Sequence, residues 1–308
     1  MIKNYILRLL ETMPKDLFHS GKTMNMDLIV EGGAFNGSYV VGILYFLKEM
    51  EEKNMIKLRR FSACSISTIC SLLYIIGRLD LFEEIYRRGL DIFKRDGTLE
   101  VLNDIFQIIT DVSDDNLYKL LNNRLFITYY DVKRCKQRVR CVYKSNEDVF
   151  ECIARSAHIP FIIDKNIARH GRYIDGQQPY FFKEKKDRKM LCISLVNYTN
   201  IGTLASTISV KNETNNIHRV LGGTLGVHNF FMTGIPTQMC CFKDNMPLIV
   251  RAQNKVKQWL IVIFGYLISM ILHLTKNMGD DILASFIGKA TRLILEDIYT
   301  LFIQHYCV

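Results

Sequence analysis

The chain has 308 residues, of which 49% are hydrophobic and 23% are charged. These proportions fit a globular protein of one large or two small domains, and they exclude a disordered tail, a collagen-like fibre and a small disulfide scaffold. Lys and Arg outnumber Asp and Glu by 40 to 31, so the net charge of +9 favours anionic partners such as phospholipid headgroups or nucleic acid.

The predicted elements begin with an amphipathic helix in residues 1–25, where the apolar run is too short for a signal peptide. A strand at 26–31 then runs into a glycine turn and a helix over 37–53. A second strand at 58–63 leads into a helix over 66–76. Two successive strand–turn–helix units are typical of parallel strands joined by a right-handed crossover.

The remainder of the chain continues the alternation up to about residue 200. The predicted elements are helices over 79–124, strands within 125–143, a helix over 148–158, short strands at 172–175 and 189–199, and mostly helix over 216–308. We therefore predict three regions: an N-terminal helix (1–25), an α/β domain (26–200) and a helical C-terminal region (201–308) that packs on it.

The nine cysteines are odd in number and form no C-x-x-C pair. This argues against a disulfide framework and against a zinc site, and it predicts a reducing, intracellular compartment.

The segment 258–275 contains no Asp, Glu, Lys or Arg, and it is flanked by Lys255, Lys257 and Lys276. Its length lies at the lower limit for crossing a bilayer. Two alternatives stay open: a buried helix of a large core, or a helix that spans a membrane or lies at its surface.

A glycine-rich turn, from Glu31 through Gly32, Gly33, Ala34, Phe35 and Asn36 to Gly37, joins the first strand to its helix. Glycine lets the backbone approach a ligand closely, and amide N–H groups at a helix N-terminus favour negative charge. The turn can therefore cradle a phosphate or hold an oxyanion. It is not a Walker A loop, because no Lys-Ser/Thr pair follows Gly37.

The next strand-to-helix junction carries Ala63-Cys64-Ser65-Ile66-Ser67. A nucleophile elbow needs small residues two positions before and after its serine, and Ala63 and Ser67 are small although each carries a Cβ. Ser65 is therefore the candidate nucleophile, with an ordinary helix N-cap serine as the alternative. Cys64 and Cys70 are competing nucleophiles, but neither has an evident basic partner.

Tyr173-Ile174-Asp175-Gly176 ends a short strand in a turn. An aspartate there can take the serine proton directly, but an ordinary Asp has a pKa near ~4 and is a weak base. A Ser–Asp dyad therefore depends on oxyanion stabilisation and positioning for most of its rate. A Ser-His-Asp triad is the alternative, with His218 or His228 as the histidine.

Together these motifs resemble the patatin-like phospholipase family, whose usual pattern is G-G-G-x-R/K-G, then G-x-S-x-G, then Asp-Gly. They align with Gly32 to Gly37, Ala63 to Ser67, and Asp175-Gly176. The stretch from Ala154 to Phe161 resembles the family's A-x-x-A-x-P segment. The resemblance covers residues 26–200.

The resemblance implies an α/β fold, a three-layer sandwich with a central, mostly parallel sheet. It implies a Ser–Asp dyad that hydrolyses fatty acyl esters of phospholipids or other acyl lipids through an acyl-enzyme, with no metal or cofactor. Ser65 is then the nucleophile, Asp175 the base, and the backbone amides of Gly32, Gly33 and Ala34 the oxyanion hole. A membrane surface is the expected partner.

The chain departs from the family pattern at four positions: Asn36 replaces Arg or Lys, Ala34 replaces a glycine, and Ala63 and Ser67 replace the elbow glycines. A Cβ on each elbow position is expected to strain the turn by ~1–3 kcal/mol or to tilt the serine. The alternative function is therefore a catalytically weak or inactive membrane-associated relative.

A nucleic-acid partner is not expected, although one basic cluster is typical of such binding: Lys133, Arg134, Lys136, Arg138 and Arg140, with Tyr129 and Tyr130 nearby. A solvated strand face or a patch for anionic lipid explains the same residues.

Overall fold

The structure is a computed structural model that describes residues 2–14, 23–176, 178–195, 207, 209–246 and 248–277, together with 293 and 297. Its strands are β1 Met24–Val30, β2 Ile56–Ala63, β3 Leu125–Asp131, β4 Lys136–Arg140, β5 Tyr173–Asp175, β6 Lys189–Ile193 and β7 Cys240–Phe242. Its helices are α1 Ile2–Glu11, α2 Gly37–Glu52, α3 Ile66–Ile75, α4 Phe82–Asp96, α5 Leu102–Thr110, α6 Leu117–Leu121, α7 Asn146–Ser156, α8 Ile217–Thr233 and α9 Leu248–Asn277.

The strands form one mixed sheet in the order β4-β3-β2-β1-β6-β7, with β5 paired to β3 outside that row. The four inner strands β3, β2, β1 and β6 run parallel, which confirms the parallel pairing predicted for the first two strand–turn–helix units. β4 and β5 run antiparallel to β3, and β7 runs antiparallel to β6. The α/β class is confirmed, and the sheet is mixed rather than mostly parallel.

Strand β1 is buried on both faces, as is typical of a central parallel strand. Leu28 and Val30 belong to the main core with α2, whereas Ile29 packs on the other face against Phe182 and Met190. The last three residues, Leu28, Ile29 and Val30, are therefore apolar on both faces. In the first part of the strand, Asn25 and Asp27 alternate with methionines, and buried Asp27 pairs with Arg60 and Arg188.

β2 and β5 lie end to end along one edge of β3. Residues 129–131 of β3 pair with both β4 and β5, and Ile127 pairs with both β2 and β4, so β2 and β5 share the edge opposite β4. Ala63 pairs with Ile127 and Asp175 pairs with Tyr129. The two chain ends therefore approach from opposite directions, about 7 Å apart along β3 at ~3.3 Å per residue.

The C-terminal region shares both core and sheet with residues 26–200. A Cβ at Gly42 of α2 would lie 1.9 Å from the carbonyl oxygen of Val220, and one at Gly223 of α8 would lie 2.0 Å from that of Tyr39. Only glycine permits this helix–helix approach. The region is mostly helical as predicted, but strand β7 was not predicted, because its three residues are too few for a periodic signal.

The amphipathic helix predicted in residues 1–25 is confirmed as α1, and its apolar side buries Ile6 and Leu10 against the main core. Strand β6 ends at Ile193, before the predicted end at 199, and residues 196–200 lie outside the described part.

The apolar segment 258–275 lies in α9. Within the described ranges no helix is long and apolar enough to cross a membrane, so the spanning helix predicted there has no support. The alternative of a helix buried in a large core is wrong, because Trp259, Ile263 and Met270 are 71%, 55% and 54% exposed.

The close contact of α2 and α8 makes a first prediction. Gly42→Ala is expected to lower the free energy of unfolding by about 2 kcal/mol or more, since overpacking against backbone costs ~1–3 kcal/mol. The matched control is Gly89→Ala in α4, whose Cβ would meet only Leu99, at 4.0 Å. It should raise the same free energy by about 0.5–1 kcal/mol through helix propensity. Urea unfolding measures both, and equal effects would contradict the contact.

Candidate active site

Ser65 occupies a sharp turn between β2 and α3. Its backbone has φ 55° and ψ −141°, a conformation that a residue with a Cβ rarely adopts, and the residue is only 4% exposed. Holding a serine there costs ~1–3 kcal/mol. Its side chain makes no cap hydrogen bond to α3, so the ordinary N-cap serine is the wrong alternative.

Two neighbouring side chains hold the Ser65 backbone. The hydroxyl of Ser156 in α7 accepts a hydrogen bond from the Ser65 N–H at 2.9 Å and donates to the carbonyl oxygen of Thr128 in β3 at 2.6 Å. The hydroxyl of Thr68 donates to the Ser65 carbonyl oxygen at 2.7 Å. Ser156 lies within the Ala154 to Phe161 segment, but the sequence motifs predicted no role for it.

The glycine turn lies directly against this elbow. A Cβ at Gly32 would sit 2.7 Å from the Cβ of Ser65, so only glycine fits at that position. The Ser67 hydroxyl donates to the carbonyl oxygen of Glu31 at 2.6 Å and ties the start of α3 to the end of β1. The structure thus brings the first two sequence motifs together.

The two elbow positions at which strain was predicted, Ala63 and Ser67, have ordinary backbone conformations. Ala63 and Ser67 are fully buried, and neither has a positive φ. Within the glycine turn and the elbow, the non-glycine residues with positive φ are Ser65 and Ala34, and φ at Ala34 is 42°. Ala34 therefore keeps the left-handed backbone that a glycine adopts without strain, and the elbow keeps its shape with small residues beside it.

Asn36 bonds a buried arginine from another element. Arg219 of α8, only 3% exposed, donates to the Asn36 side-chain oxygen, and the Asn36 amide donates to the carbonyl oxygen of Leu195 at 3.3 Å. Arg219 also pairs with Glu213 at 3.0 Å. Burial acts to raise the pKa of Glu213, but hydrogen bonds from Arg219 and Tyr86 outweigh it and hold that pKa below its ordinary value.

Sequence reasoning missed Arg219. It lies 183 positions from Asn36 and belongs to no short motif. The one available signal is an arginine within an otherwise apolar helix, where burial requires a charged or polar partner.

Asp175 ends β5 and is 6% exposed. Its N–H donates to the carbonyl oxygen of His158 at 2.8 Å. The following residue, Gly176, packs so tightly on Thr128 that a Cβ would lie 2.3 Å from the Thr128 carbonyl oxygen. That carbonyl also anchors the Ser156 hydroxyl that holds the elbow, so the third motif rests on the same support as the nucleophile candidate.

The histidines named for a triad have other partners. His218 lies 3.4 Å from Glu213 and is 55% exposed, and the His228 ring hydrogen-bonds the Thr12 hydroxyl at 3.0 Å. His158 is fully buried, with its ring 3.9 Å from Asp164, and burial lowers its pKa, so it is neutral at pH 7. His218 and His228 are therefore engaged away from the glycine turn and the elbow.

The competing cysteines are poor nucleophiles. Cys64 and Cys70 are fully buried, and burial raises the pKa of the Cys70 thiol far above its ordinary value, which keeps it protonated. All eight cysteines in the described ranges are free. Across the same ranges, no group of three or more His, Cys, Asp or Glu side chains is placed to hold a metal ion.

An apolar pocket opens on Ser65. Its empty space measures about 610 Å³, including the part that is open to solvent. Its walls come from the glycine turn, α3, α4, α5 and residues 157–163, and they include Phe35, Ile69, Phe82, Ile85, Ile105 and Ile163. The helices predicted within 79–124 therefore build one side of the candidate site, a role that their periodicity did not indicate.

The basic cluster offers no stacking surface for bases. Tyr129 and Tyr130 are 5% and 2% exposed, and Arg140 pairs with Asp148 at 3.0 Å. The exposed cations of the cluster are Lys133, Arg134 and Lys136. A nucleic-acid groove lined with aromatic rings does not form here.

The strained elbow makes a second prediction. Ser65→Gly should raise the free energy of unfolding by about 1–2 kcal/mol relative to Ser65→Ala, because glycine adopts this backbone without strain and alanine does not. Both variants lack the hydroxyl, so their comparison isolates the backbone. Thermal and urea unfolding measure the difference; a glycine variant no more stable than the alanine variant would show that Ser65 carries no strain.

No protein-family model matches the chain, and no curated protein matches it. The likeness to patatin-like phospholipases therefore rests on the sequence motifs.

Proposed function

We propose that the chain is a serine lipid acyl hydrolase of the phospholipase A or lysophospholipase type, built on a patatin-like fold. The observation that carries the proposal is the strained Ser65, which Ser156 holds against the glycine turn and which lines an apolar pocket. Conformational strain of this kind concentrates at catalytic residues.

In the proposed reaction, Ser65 Oγ attacks the acyl carbonyl carbon while Asp175 takes the hydroxyl proton. The backbone N–H groups of Gly32, Gly33 and Ala34 stabilise the oxyanion of the tetrahedral intermediate. The proton passes to the leaving alcohol, and water then hydrolyses the acyl-enzyme. Since a carboxylate is a weak base, the oxyanion donors matter most, and one such donor is typically worth ~10²–10³ in kcat.

The pocket supports a fatty acyl chain as the group that binds beside Ser65. Its named walls are aliphatic or aromatic, and burying each methylene there contributes about 0.8 kcal/mol. Phospholipids and other acyl lipids are therefore the proposed substrate class.

The elbow supports an active enzyme over an inactive relative. Ala63 and Ser67 leave the positive φ of Ser65 in place, and the Ser67 hydroxyl adds a hydrogen bond to Glu31. A chain without catalysis could have lost the strain by a single change to glycine.

The direct test is labelling of the purified protein with a fluorophosphonate probe, which phosphonylates activated serines. We expect labelling of the native chain and none in Ser65→Ala. Asp175→Asn should abolish turnover of a fatty acyl ester, because the base is lost, while its unfolding temperature stays near the native value. Absent labelling, labelling unchanged in Ser65→Ala, or full turnover in Asp175→Asn would each reject the dyad.

The acyl pocket makes a separate prediction at Gly89, which lines it and has open space beside its Cα. Gly89→Leu should displace about two methylenes of a long acyl chain, ~1.6 kcal/mol, and lower kcat/KM for long-chain esters on the order of tenfold. Hydrolysis of acetyl or butyryl esters should persist. Gly89→Ala is the size control and should keep both activities; equal losses on short and long chains in Gly89→Leu would contradict an acyl pocket.

A further inference from the structure

Helix α9 turns a continuous apolar face toward solvent. Seven side chains at helical spacing are 48–71% exposed: Val256, Trp259, Leu260, Ile263, Tyr266, Leu267 and Met270. Residues three and four positions apart lie on one side of a helix, so these side chains form a single stripe. Contiguous exposed apolar surface of this kind marks an interaction site.

The opposite face of α9 fixes this orientation. Gly265 packs on the ring of Tyr130, where a Cβ would lie 2.3 Å from a ring carbon, and Ile268 is 3% exposed in a cluster with Val132 and Ile174. The Gln178 side chain also donates to the carbonyl oxygen of Asn254 at 3.0 Å. The helix is thus held by its packed side, and its apolar stripe faces outward.

Exposed cations lie on α9 and on the chain segment that packs against it. Three belong to the turn after β3, against which α9 packs, and to the start of β4: Lys133, Arg134 and Lys136. Two more, Arg251 and Lys255, are exposed on the first half of α9 itself. A helix that lies in a bilayer interface combines an apolar face with flanking Lys and Arg in this way, because the cations pair with anionic headgroups.

We propose that the apolar stripe of α9 and these five cations dock the chain on the surface of an anionic lipid bilayer. The helix lies in the plane of the interface, with the stripe among the acyl chains and the cations at the headgroups. Charge favours lipid over a second copy of the chain, because a symmetric pairing would bring the same five cations of both copies together.

Docking by this surface also orients the candidate site, an extension that rests on the proposed function. The α9 packing partners Tyr130, Val132 and Ile174 continue β3 and β5 beyond the carboxyl end of β2. Ser65 follows that end of β2 directly, so the bilayer would meet the end of the parallel strands at which Ser65 lies.

The sequence supplies a direct probe, because Trp259 is its single tryptophan and is 71% exposed. Intrinsic fluorescence of the full chain therefore reports on α9 alone. Vesicles of phosphatidylcholine mixed with phosphatidylserine should shift the emission to shorter wavelength and co-sediment the protein. Pure phosphatidylcholine vesicles should bind on the order of tenfold less, and added salt should weaken binding to the mixed vesicles.

Two variants separate the stripe from the cations. Leu260→Gln/Ile263→Gln/Leu267→Gln should lose about tenfold or more in vesicle binding. Its matched control, Leu120→Gln/Ile217→Gln/Leu225→Gln, changes side chains that are 46%, 47% and 45% exposed on other helices and should bind normally. Lys133→Glu/Arg134→Glu/Lys136→Glu leaves the stripe intact and should abolish the preference for phosphatidylserine.

The proposal would be overturned if neither vesicle shifted the emission, or if the stripe variant and its control lost vesicle binding equally. An emission shift without lipid that grows with protein concentration would also overturn it, because it would assign the stripe to a second copy. These readouts need no catalysis, so Ser65→Ala should bind vesicles like the native chain even if the dyad is rejected. If the dyad holds, the stripe variant should lose hydrolysis of vesicle lipid and keep that of a soluble short-chain ester.

Discussion

The candidate site depends on one hydroxyl group, that of Ser156. It accepts from the N–H of Ser65 and donates to the carbonyl oxygen of Thr128, and all three residues are buried. The elbow backbone is strained by ~1–3 kcal/mol, and a buried N–H left without a partner would add a further ~1–3 kcal/mol. The Ser156 hydroxyl removes the cost of an unpaired N–H, and it joins α7, β3 and the elbow in one rigid unit.

The same unit also holds the backbone beside Asp175. The Thr128 carbonyl that receives the Ser156 hydroxyl also touches Gly176, where only a glycine fits. Because β5 continues the line of β2 along β3, Asp175 and Ser65 converge on this carbonyl from opposite ends. A dyad with a weak base needs this kind of support, since positioning has to supply rate that basicity does not.

The contacts around the glycine turn come from distant parts of the chain. Ser67 uses its hydroxyl to bond Glu31, and buried Arg219 reaches Asn36 from α8. The charge of Arg219 is balanced there by Glu213. The helix that carries Arg219 can approach α2 closely only because Gly42 and Gly223 lack side chains.

Local patterns predicted much of the fold, and long-range contacts account for what they missed. The end of strand β1 is apolar because both its faces are buried, and the helices that follow it show clear periodicity, so these elements and the positions of the three motifs could be predicted. No local pattern marks Arg219, because its partner lies 183 positions away. Hydrophobicity alone could not predict whether α9 is buried or exposed. Its apolar residues face outward, and the helix is held by its packed side near Gly265.

For the proposed activity, the apolar pocket and the outward face of α9 answer one energetic problem. A lipid that left a bilayer through water would expose its acyl chain at about 0.8 kcal/mol per methylene, or ~12 kcal/mol for a chain of about fifteen. Transfer from bilayer to apolar pocket without a water-exposed step avoids most of that barrier, since both environments are hydrocarbon-like. Ser65, which lines the pocket, and the packed side of α9 lie at the same end of the parallel strands. Docking at that end shortens the path from membrane to nucleophile, so the exposed stripe and the buried pocket make physical sense together.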